Sequence, residues 1–303
     1  MAAGLSRVLP VDPASRAATL SVLLNAVSMV VKLTAGVVSG SVAVLSDGID
    51  SLEDFIASAI ALASVRYGAR PPDAGHPYGH GRAETIAATI QALLIGTGGV
   101  FILFNAIRRI VDPPESIDTG IAIVVMLTAA AANLALVQYT SRVAKQTGSP
   151  AIASEARHLM TNVVQAAAVT LGLVVVLVTG EVALDGVIAL VLGCYLLWIA
   201  AGIIKTSAGD VMDASLTDAE VVLLGDMIRE ASGERAGFHD LRTRRTGQVR
   251  HIDFHMTFPG EMTVEESHEI VSEVERRIAA SWPGSVITVH AEPDWEAPPK
   301  PRE

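Results

Sequence analysis

Residues 42–66 read VAVLSDGIDSLEDFIASAIALASVR, an apolar run that carries four acidic residues in its first half. About 20 helical residues cross a bilayer core of about 30 Å, so this run is long enough to span a membrane. Five further runs have similar length and composition: 17–38, 85–108, 119–140, 157–179 and 183–205. The sequence therefore predicts a multi-span α-helical membrane protein with six transmembrane helices.

The composition supports this prediction. Half of the 303 residues are hydrophobic, 18% are charged and the mean hydropathy is +0.45, whereas globular domains carry about 25% charged residues. An apolar excess of this size excludes a disordered chain. The single cysteine, Cys194, excludes an intrachain disulfide framework.

The charge is unevenly distributed and predicts two domains. Residues 1–208 carry 12 Lys/Arg against 13 Asp/Glu, whereas residues 209–303 carry 10 against 19. We therefore expect a six-helix transmembrane domain over 1–208 and an acidic soluble domain over 209–303. The formal charge of −10 disfavours a nucleic-acid partner and allows cationic ligands.

The basic residues predict the orientation in the membrane, because cytoplasmic loops carry an excess of Lys and Arg. With a cytoplasmic N-terminus, only Arg108 and Arg109 fall on the far side. The cytoplasmic side then receives Arg7, Arg16, Arg66, Arg70, Arg82, Arg142, Lys145, Arg157 and Lys205. Residues 1–16 lack the pattern of a cleaved signal peptide. We expect an integral membrane protein with both termini in the cytoplasm.

The acidic tail has the pattern of a small α+β domain. Residues 215–232 and 263–281 have helical spacing of apolar residues, and Ser215 begins a Ser-x-x-Asp pattern that is typical of a helix cap. Residues 239–245, 249–258 and 285–291 are typical of strands. The predicted order is α-β-β-α-β.

The informative residues are polar groups inside the apolar runs, where each ionisable group costs about 2.5–3.5 kcal/mol at mid-membrane. Asp50 and Asp54 are four residues apart, as are His158 and Asn162, so each pair shares one helix face. Two such pairs can close a four-coordinate site for a divalent metal. The alternative is that they are polar residues near helix ends. For Asp47 and Glu53 we favour a helix-start, pore-wall or interhelix role over metal ligation.

Three motifs of this sequence resemble the cation diffusion facilitator family. They are SVAVL leading to DSLED over 41–54, GHPYGHGRAE over 75–84 and GFHDLRTR over 237–244. The resemblance covers nearly the whole chain and implies a homodimeric, proton-coupled efflux transporter for zinc or a related divalent ion. It also implies a ferredoxin-like cytoplasmic domain that binds metal and dimerises.

The resemblance implies a membrane transport site formed by Asp50, Asp54, His158 and Asn162. Zinc-type members normally carry Asp at the last position, and Asn162 offers a neutral carbonyl oxygen instead. The site then has two formal negative charges, which weakens the case for zinc. Iron(II), manganese, cobalt and cadmium become alternatives, because selectivity among these ions depends on ligands and geometry.

A second group lies in the loop after the second span. Asp73, His76 and His80 have metal-ligand spacing, although a turn with solvated histidines has the same composition. With the resemblance, we expect a structural or regulatory metal site there.

The tail holds five of the eight histidines. The resemblance places metal ligands at His239, His255, His268, His290 and Glu292. We interpret His251 as an exposed strand histidine. The resemblance also implies an ion pair between Arg82 and Asp213 that interlocks the membrane and cytoplasmic domains.

These observations together predict a divalent metal exporter that works by alternating access and proton antiport, with His158 as the best proton carrier. No HExxH or other hydrolase signature occurs, so we predict neither an enzyme nor a catalytic cofactor. The expected partners are divalent metal ions, protons, the lipid bilayer and a second copy of the chain. A passive cation channel and a metal-sensing scaffold that does not transport remain alternatives.

Overall fold

The computed structural model describes residues 12–39, 42–111, 120–180 and 183–295. Residues 1–11 and 296–303 lie outside the described residues. The prediction that no signal peptide precedes the first helix concerns residues 1–16 and falls mostly in that undescribed part. The chain divides into two compact units, Met1–Ala208 and Gly209–Glu303. Each unit has its own core.

The first unit consists of six long helices, which confirms the predicted fold class. They are α1 (Pro13–Ser39), α2 (Val42–Gly68), α3 (Arg82–Val111), α4 (Gly120–Thr147), α5 (Pro150–Thr179) and α6 (Ala183–Val211). Helices of this length extend about 40 Å at 1.5 Å per residue. Among the described residues, four stretches are apolar and long enough to cross a membrane: Pro13–Thr34, Arg82–Arg108, Pro150–Val176 and Leu184–Val211.

Helix α5 begins seven residues before the predicted start at 157. Ser149 is its N-cap and accepts a hydrogen bond from the Ile152 N–H, and Pro150 occupies the first turn. Proline is tolerated at that position because its missing N–H has no helical partner there. The earlier start brings Glu155 into the helix, with consequences described below.

The helices pack through small residues. Ala14, Ala17 and Ala18 of α1 and Ala151 of α5 are completely buried in a cluster that also includes residues of α2, α3 and α4. A second cluster joins α3 to α6, where a Cβ on Gly193 would lie 3.1 Å from the Gly99 carbonyl oxygen. Small residues allow such close backbone approach between membrane helices.

The second unit has the predicted α-β-β-α-β order, which is confirmed. Its elements are α7 (Asp218–Ser232), β1 (Gly237–Thr246), β2 (Val249–Phe258), α8 (Val264–Ser281) and β3 (Val286–Pro293), with a short 3-10 turn after α7. Strand β2 is central, antiparallel to β1 and parallel to β3. The core lies between the sheet and the two helices: Leu224, Ile228, Ile252, Phe254, Met256, Phe258, Ile270, Val274 and Ile278.

Two local predictions for this unit are wrong. The cap of α7 is Thr217, which forms a capping box with Glu220, and Ser215 instead contacts Thr243 at 2.8 Å. His251 is not exposed, since only 5% of it is accessible. It faces away from the helices, but it lies on the central strand between its register partners Arg244 and Val286, which flank it on both sides.

Candidate metal sites

The first candidate site joins α2 and α5. His158 Nε2 lies 2.9 Å from Asp54 Oδ1, and Asn162 Nδ2 donates to the same oxygen at 3.0 Å. The spacing of four residues on α5 places the two donors on one face, as predicted from helical periodicity. His158 is buried and Asp54 is about a quarter exposed, so this carboxylate and imidazole meet inside the helical unit.

Asp50 lies one turn before Asp54 on α2. Its side chain is outside the described residues, and its ligand role therefore stays a prediction. The same holds for the side chain of Asp47.

The amide of Asn162 has to reorient to bind a metal. In the structure its NH₂ group faces Asp54, whereas a cation needs the carbonyl oxygen. Rotation of the amide by a half turn exchanges the two. A metal that replaces this hydrogen bond at Asp54 Oδ1 would therefore need the carbonyl oxygen of Asn162 in the place of its NH₂ group.

A buried polar network adjoins this site, and sequence reasoning missed it. Glu155 on α5 is completely buried, and its carboxylate accepts hydrogen bonds from Ser58 at 2.6 Å and Gln91 at 2.7 Å. Asn25 on α1 donates to the Ser58 hydroxyl at 2.7 Å. Among the described residues, side chains of α1, α2, α3 and α5 therefore join in one hydrogen-bonded network, with the Glu155 carboxylate bonded to α2 and α3. The only sequence signal was the spacing of three residues between Glu155 and His158.

The second candidate site lies in the loop between α2 and α3. Asp73 Oδ1 is 3.2 Å from His76 Nδ1, and Asp73 Oδ2 is 3.2 Å from His80 Nε2. The three ligand atoms lie within 4.8 Å of one another, so the structure brings all three predicted residues together. His80 is buried against Tyr67, with ring centroids 4.8 Å apart, while Asp73 and His76 are exposed.

The loop backbone prepares Asp73 to bind a cation. The N–H groups of His76 and Gly75 donate to Asp73 Oδ1 at 2.7 and 2.9 Å. These contacts hold the pKa of Asp73 below its usual range. The hydrogen bond from the His76 N–H has the largest effect, followed by those from the His76 ring and the Gly75 N–H. The carboxylate therefore stays ionised in mildly acidic solution.

The third candidate site lies on the sheet face opposite the helices. Strand register places His239 beside His255 and His255 beside His290, so the three histidines form a row across the sheet. Glu292 follows His290 by two residues on β3, and its carboxylate reaches across the row, with Oε1 3.1 Å from His239 Nε2 and Oε2 3.1 Å from His255 Nδ1. His290 Nε2 is 4.0 Å from Glu292 Oε2.

His268 does not join this group within one chain. Among the described residues the ligand atoms that cluster are those of His239, His255 and Glu292, whereas His268 is on α8, which packs on the other face of the sheet. A ligand role for His268 stays a prediction that requires a second chain.

Asp213 has a partner that the sequence did not indicate. Its Oδ1 accepts a hydrogen bond from Arg244 Nη1 at 3.2 Å. Asp213 and Arg82 belong to different units, so the predicted interlock between them stays a prediction.

Comparison with known proteins matches both units to one family. Residues 18–212 match the cation efflux transmembrane domain, and residues 226–294 match the cytoplasmic domain of cation efflux proteins. The chain is 30% identical over 279 residues to the cation-efflux pump FieF of Shigella boydii and of Escherichia fergusonii, covering 92% of each chain.

Solved structures of CzrB are also similar. In its Zn form, CzrB is 35% identical to this chain over 28% of this chain and 97% of its own, with a TM-score of 0.27. That TM-score is too low to support a statement about the fold. The transmembrane match spans more than half of the sequence, and the chain therefore belongs to the cation diffusion facilitator family of cation efflux transporters.

Proposed function

We propose that this protein exports a divalent metal cation from the cytoplasm in exchange for protons, through the site between α2 and α5. Family membership makes the chain a transporter of divalent metals and not an enzyme. The observation that supports the proposed site is the contact of Asp54 with His158 and Asn162 across two membrane helices. Asp50 completes the proposed ligand set.

The exchange follows from competition between metal and protons for the same atoms. Metal binding needs a neutral imidazole and an ionised carboxylate. When both ring nitrogens of His158 are protonated, its Nε2–H donates to Asp54 across the 2.9 Å contact and holds the two residues together. A metal that binds both residues displaces that proton, and a proton that enters from outside displaces the metal. Alternating access then moves the site between the two sides of the membrane.

The transported ion is not fixed by the family. The relatives are named cation-efflux pumps, and the solved CzrB structure is a Zn form. Asn162 leaves the proposed site with two carboxylates and an amide oxygen, so zinc is less clearly preferred and iron(II), manganese and cobalt become more plausible, because selectivity depends on ligands and geometry.

The cytoplasmic unit has a separate proposed role. It matches a cytoplasmic domain of cation efflux proteins, and we infer that it dimerises and binds regulatory metal at the row formed by His239, His255, His290 and Glu292. The loop group of Asp73, His76 and His80 is the other regulatory or structural site. From the family resemblance we also infer an ion pair between Arg82 and Asp213.

The proposed setting is a bacterial inner membrane, since the FieF relatives are bacterial. Both termini face the cytoplasm, because that orientation places the excess of Lys and Arg there. Export then runs from the side of the cytoplasmic unit to the outside.

The test is metal uptake into proteoliposomes under an imposed pH gradient, with zinc, iron(II), manganese, cobalt and cadmium in turn. We expect at least one ion to move only when the gradient is present. Asp54→Ala should abolish that flux while the purified protein stays dimeric, because it removes one of two anionic ligands. Asp226→Ala is the matched control, since Asp226 lies on the exposed surface of α7 and pairs with Arg229 alone in the part of the chain that the structure describes.

Each alternative gives a different result. A passive channel moves metal without a pH gradient, and a sensor that does not transport binds metal without any flux. Near wild-type flux in Asp54→Ala would show that the transport site is elsewhere.

A further inference from the structure

A polar network crosses the helical unit one helical turn away from the proposed transport site. On α2, Ser58 follows Asp54 by four residues. On α5, Glu155 precedes His158 by three residues. Residues at these spacings lie on the same face of a helix, and the Ser58 hydroxyl donates to Glu155 Oε1 at 2.6 Å. The two helices are therefore joined at two successive turns, once at the proposed metal ligands and once at this hydrogen bond.

Side chains of α1 and α3 complete the network. Asn25 Nδ2 donates to the Ser58 hydroxyl at 2.7 Å and lies 3.4 Å from the Asp54 carbonyl oxygen. Gln91 Nε2 donates to Glu155 Oε2 at 2.7 Å and to a carbonyl oxygen of α2 at 3.2 Å. We call Asn25, Ser58, Gln91 and Glu155 the inner network. Through Asn25 it also reaches the backbone of a proposed metal ligand.

The inner network lies on the cytoplasmic side of the transport site in the orientation proposed above. Residues 226–294, which follow α6, match a cytoplasmic domain, so α6 ends on the cytoplasmic side. Because successive membrane helices run in opposite directions, α2 also ends there, and α5 begins there. Ser58 is nearer than Asp54 to the end of α2, and Glu155 is near the start of α5. A metal ion from the cytoplasm therefore meets the inner network before it reaches the site.

The structure is closed at the level of the inner network. Three of its members have no exposure and Asn25 is 4% exposed, whereas the side chain of Asp54 is 27% exposed. One turn nearer the cytoplasm, Ala61 of α2 and Ile152 of α5 are also completely buried. In the part of the chain that the structure describes, two packed layers therefore separate the transport site from the cytoplasm, and the exposed part of Asp54 faces another direction.

The chemistry of the inner network suits a barrier that opens and closes. Buried polar groups are stable only while they are hydrogen-bonded, and here they bond one another across the helices. If α2 and α5 separate, water can take the place of each partner, since every group in the network is a hydroxyl, an amide or a carboxylate. The closed and open states then differ little in free energy, which a step of alternating access requires.

We propose that the inner network is the cytoplasmic gate of the transporter. Separation of Ser58 from Glu155 opens a path from the cytoplasm to Asp54 and His158, and renewed contact closes it. Glu155 is a positioning residue in this scheme, because it acts through the alignment of α2 and α5. The inference rests on the proposed function and names the residues of one of the two gates that alternating access needs.

The test is side-specific labelling of a buried cysteine in inverted membrane vesicles, which present the cytoplasmic side to the reagent. Cys194→Ser removes the native thiol. Ser21→Cys introduces a thiol at a completely buried position of α1, one turn nearer the cytoplasm than Asn25. A membrane-impermeant, cationic methanethiosulfonate should react slowly with this reporter while the gate is closed.

Ser58→Ala should open the gate. It removes the hydroxyl that pairs with Glu155 and Asn25 in the closed state, whereas water can pair with both residues in the open state. The labelling rate should therefore rise by at least about tenfold. That factor corresponds to about 1.4 kcal/mol, which lies within the cost of leaving a buried polar group unpaired.

Variants of two glutamates separate gating from a general loss of packing. Glu155→Ala should raise the labelling rate as Ser58→Ala does. Glu155→Gln should keep the rate slow, because its amide can still pair with Ser58 and with a Gln91 amide turned by half a turn. Glu84→Ala removes another buried glutamate at the same end of the bundle, one bonded to Ser149, and should also keep the rate slow.

A second reporter controls for loosening of the whole helical unit. Ser207→Cys places a thiol at a buried position near the cytoplasmic end of α6, and its labelling rate should be the same with and without Ser58→Ala. Three results would overturn the inference: rapid labelling of the Ser21→Cys reporter with an intact inner network, no increase in both Ser58→Ala and Glu155→Ala, or an equal increase in Glu84→Ala or at the second reporter.

The labelling experiment fails separately from the proposed function, because it needs no metal flux. Flux in proteoliposomes that ignores the pH gradient refutes the proposed exchange, even where the labelling rates respond as expected. Gradient-driven flux together with labelling rates that do not respond to Ser58→Ala or Glu155→Ala refutes only the gate.

Discussion

The substitution Asn162→Asp tests the proposed transport site most sharply. Asn162 Nδ2 donates to Asp54 Oδ1 at 3.0 Å, so the substitution replaces a donor with a second carboxylate at the same oxygen. Two unit charges about 4 Å apart interact by about 4 kcal/mol at an effective dielectric constant of about 20. That repulsion corresponds to about a thousandfold in an equilibrium constant. Without metal, the pair should therefore share one proton at neutral pH.

In the metal-bound state the added carboxylate is favourable, in contrast to its repulsion of Asp54 without metal. A third carboxylate favours the dication, provided that the shared proton leaves first. We expect the variant to bind zinc and cadmium more tightly than wild type at pH 8. Because one more proton is displaced wherever the pair holds its shared proton, this advantage should shrink toward pH 6, by at most about tenfold for each pH unit.

The assay is metal affinity between pH 6 and pH 8 on full-length protein in detergent. The loop and cytoplasmic sites are first disabled in both proteins by replacing His76, His80, His255 and His290 with alanine. Equal affinities with equal pH slopes would refute the reasoning. Residue 162 would then not face the metal, and the ligand set would shrink to Asp50, Asp54 and His158.

Two further predictions concern the cytoplasmic unit. The fragment from residue 209 should melt at higher temperature with added zinc, because a ligand that binds only the folded state stabilises it. The double substitution His255→Ala with His290→Ala should remove most of that increase. No increase in the wild-type fragment would contradict the metal site. Glu220→Gln should cost about 1–2 kcal/mol of the free energy of unfolding at neutral pH, because Glu220 accepts from Arg245 at 2.7 Å and Arg250 at 3.0 Å. Partial burial acts to raise the pKa of Glu220, but Arg250, Thr217 and Arg245 bring it below its ordinary value. The stability difference between wild type and Glu220→Gln should therefore be complete above the ordinary pKa of a glutamate. It should disappear as the pH falls through the lower pKa that Glu220 has in the folded protein. A stability difference that is unchanged at low pH would exclude the ion pairs as its cause.

Helical periodicity predicted half of the transport site. The spacing of four residues puts His158 and Asn162 on one face of α5, and that part of the prediction needs only the geometry of a helix. The contact of Asp54 with both of them depends on how α2 packs on α5, which spacing within one helix does not determine. The pairing of the two helices came from the family resemblance.

Glu155 was missed because its helix was predicted to begin two residues after it. The apolar residues alone predict that the span begins at 157. The helix itself begins earlier, because Ser149 caps its N-terminus and Pro150 occupies its first turn. The partners of Glu155 are on α2 and α3, so no local pattern distinguishes it from an interfacial charge. Buried networks between helices become visible only with the tertiary structure.

In the cytoplasmic unit, the sequence pattern likewise predicted the strands but not how they align with one another. The strands were predicted from alternation, but the row of His239, His255 and His290 depends on how β1 and β3 align with β2. A register irregularity between His239 and Arg242 changes the alignment of β1 in a way that alternation does not reveal. His251 was misjudged because the sequence does not say that β2 is the central strand.

The three candidate sites share one arrangement, and their burial assigns them different roles. In each, one carboxylate lies within hydrogen-bond distance of two nitrogen groups: Asp54 with His158 and Asn162, Asp73 with His76 and His80, and Glu292 with His239 and His255. A metal that replaces these hydrogen bonds finds its ligands already gathered, which lowers the ordering cost of binding.

The three sites differ in how exposed their side chains are to the surrounding solution. The imidazole of His158 is 6% exposed, so an ion bound beside it is cut off from bulk water and needs a conformational change to leave. The carboxylate of Asp73 is 55% exposed and equilibrates directly with the surrounding solution. On the sheet, Glu292 is 9% exposed while His290 is 65% exposed, which leaves one ligand turned outward at a face that a second chain can cover. We therefore propose that the same arrangement of ligands serves transport, sensing and assembly in one chain.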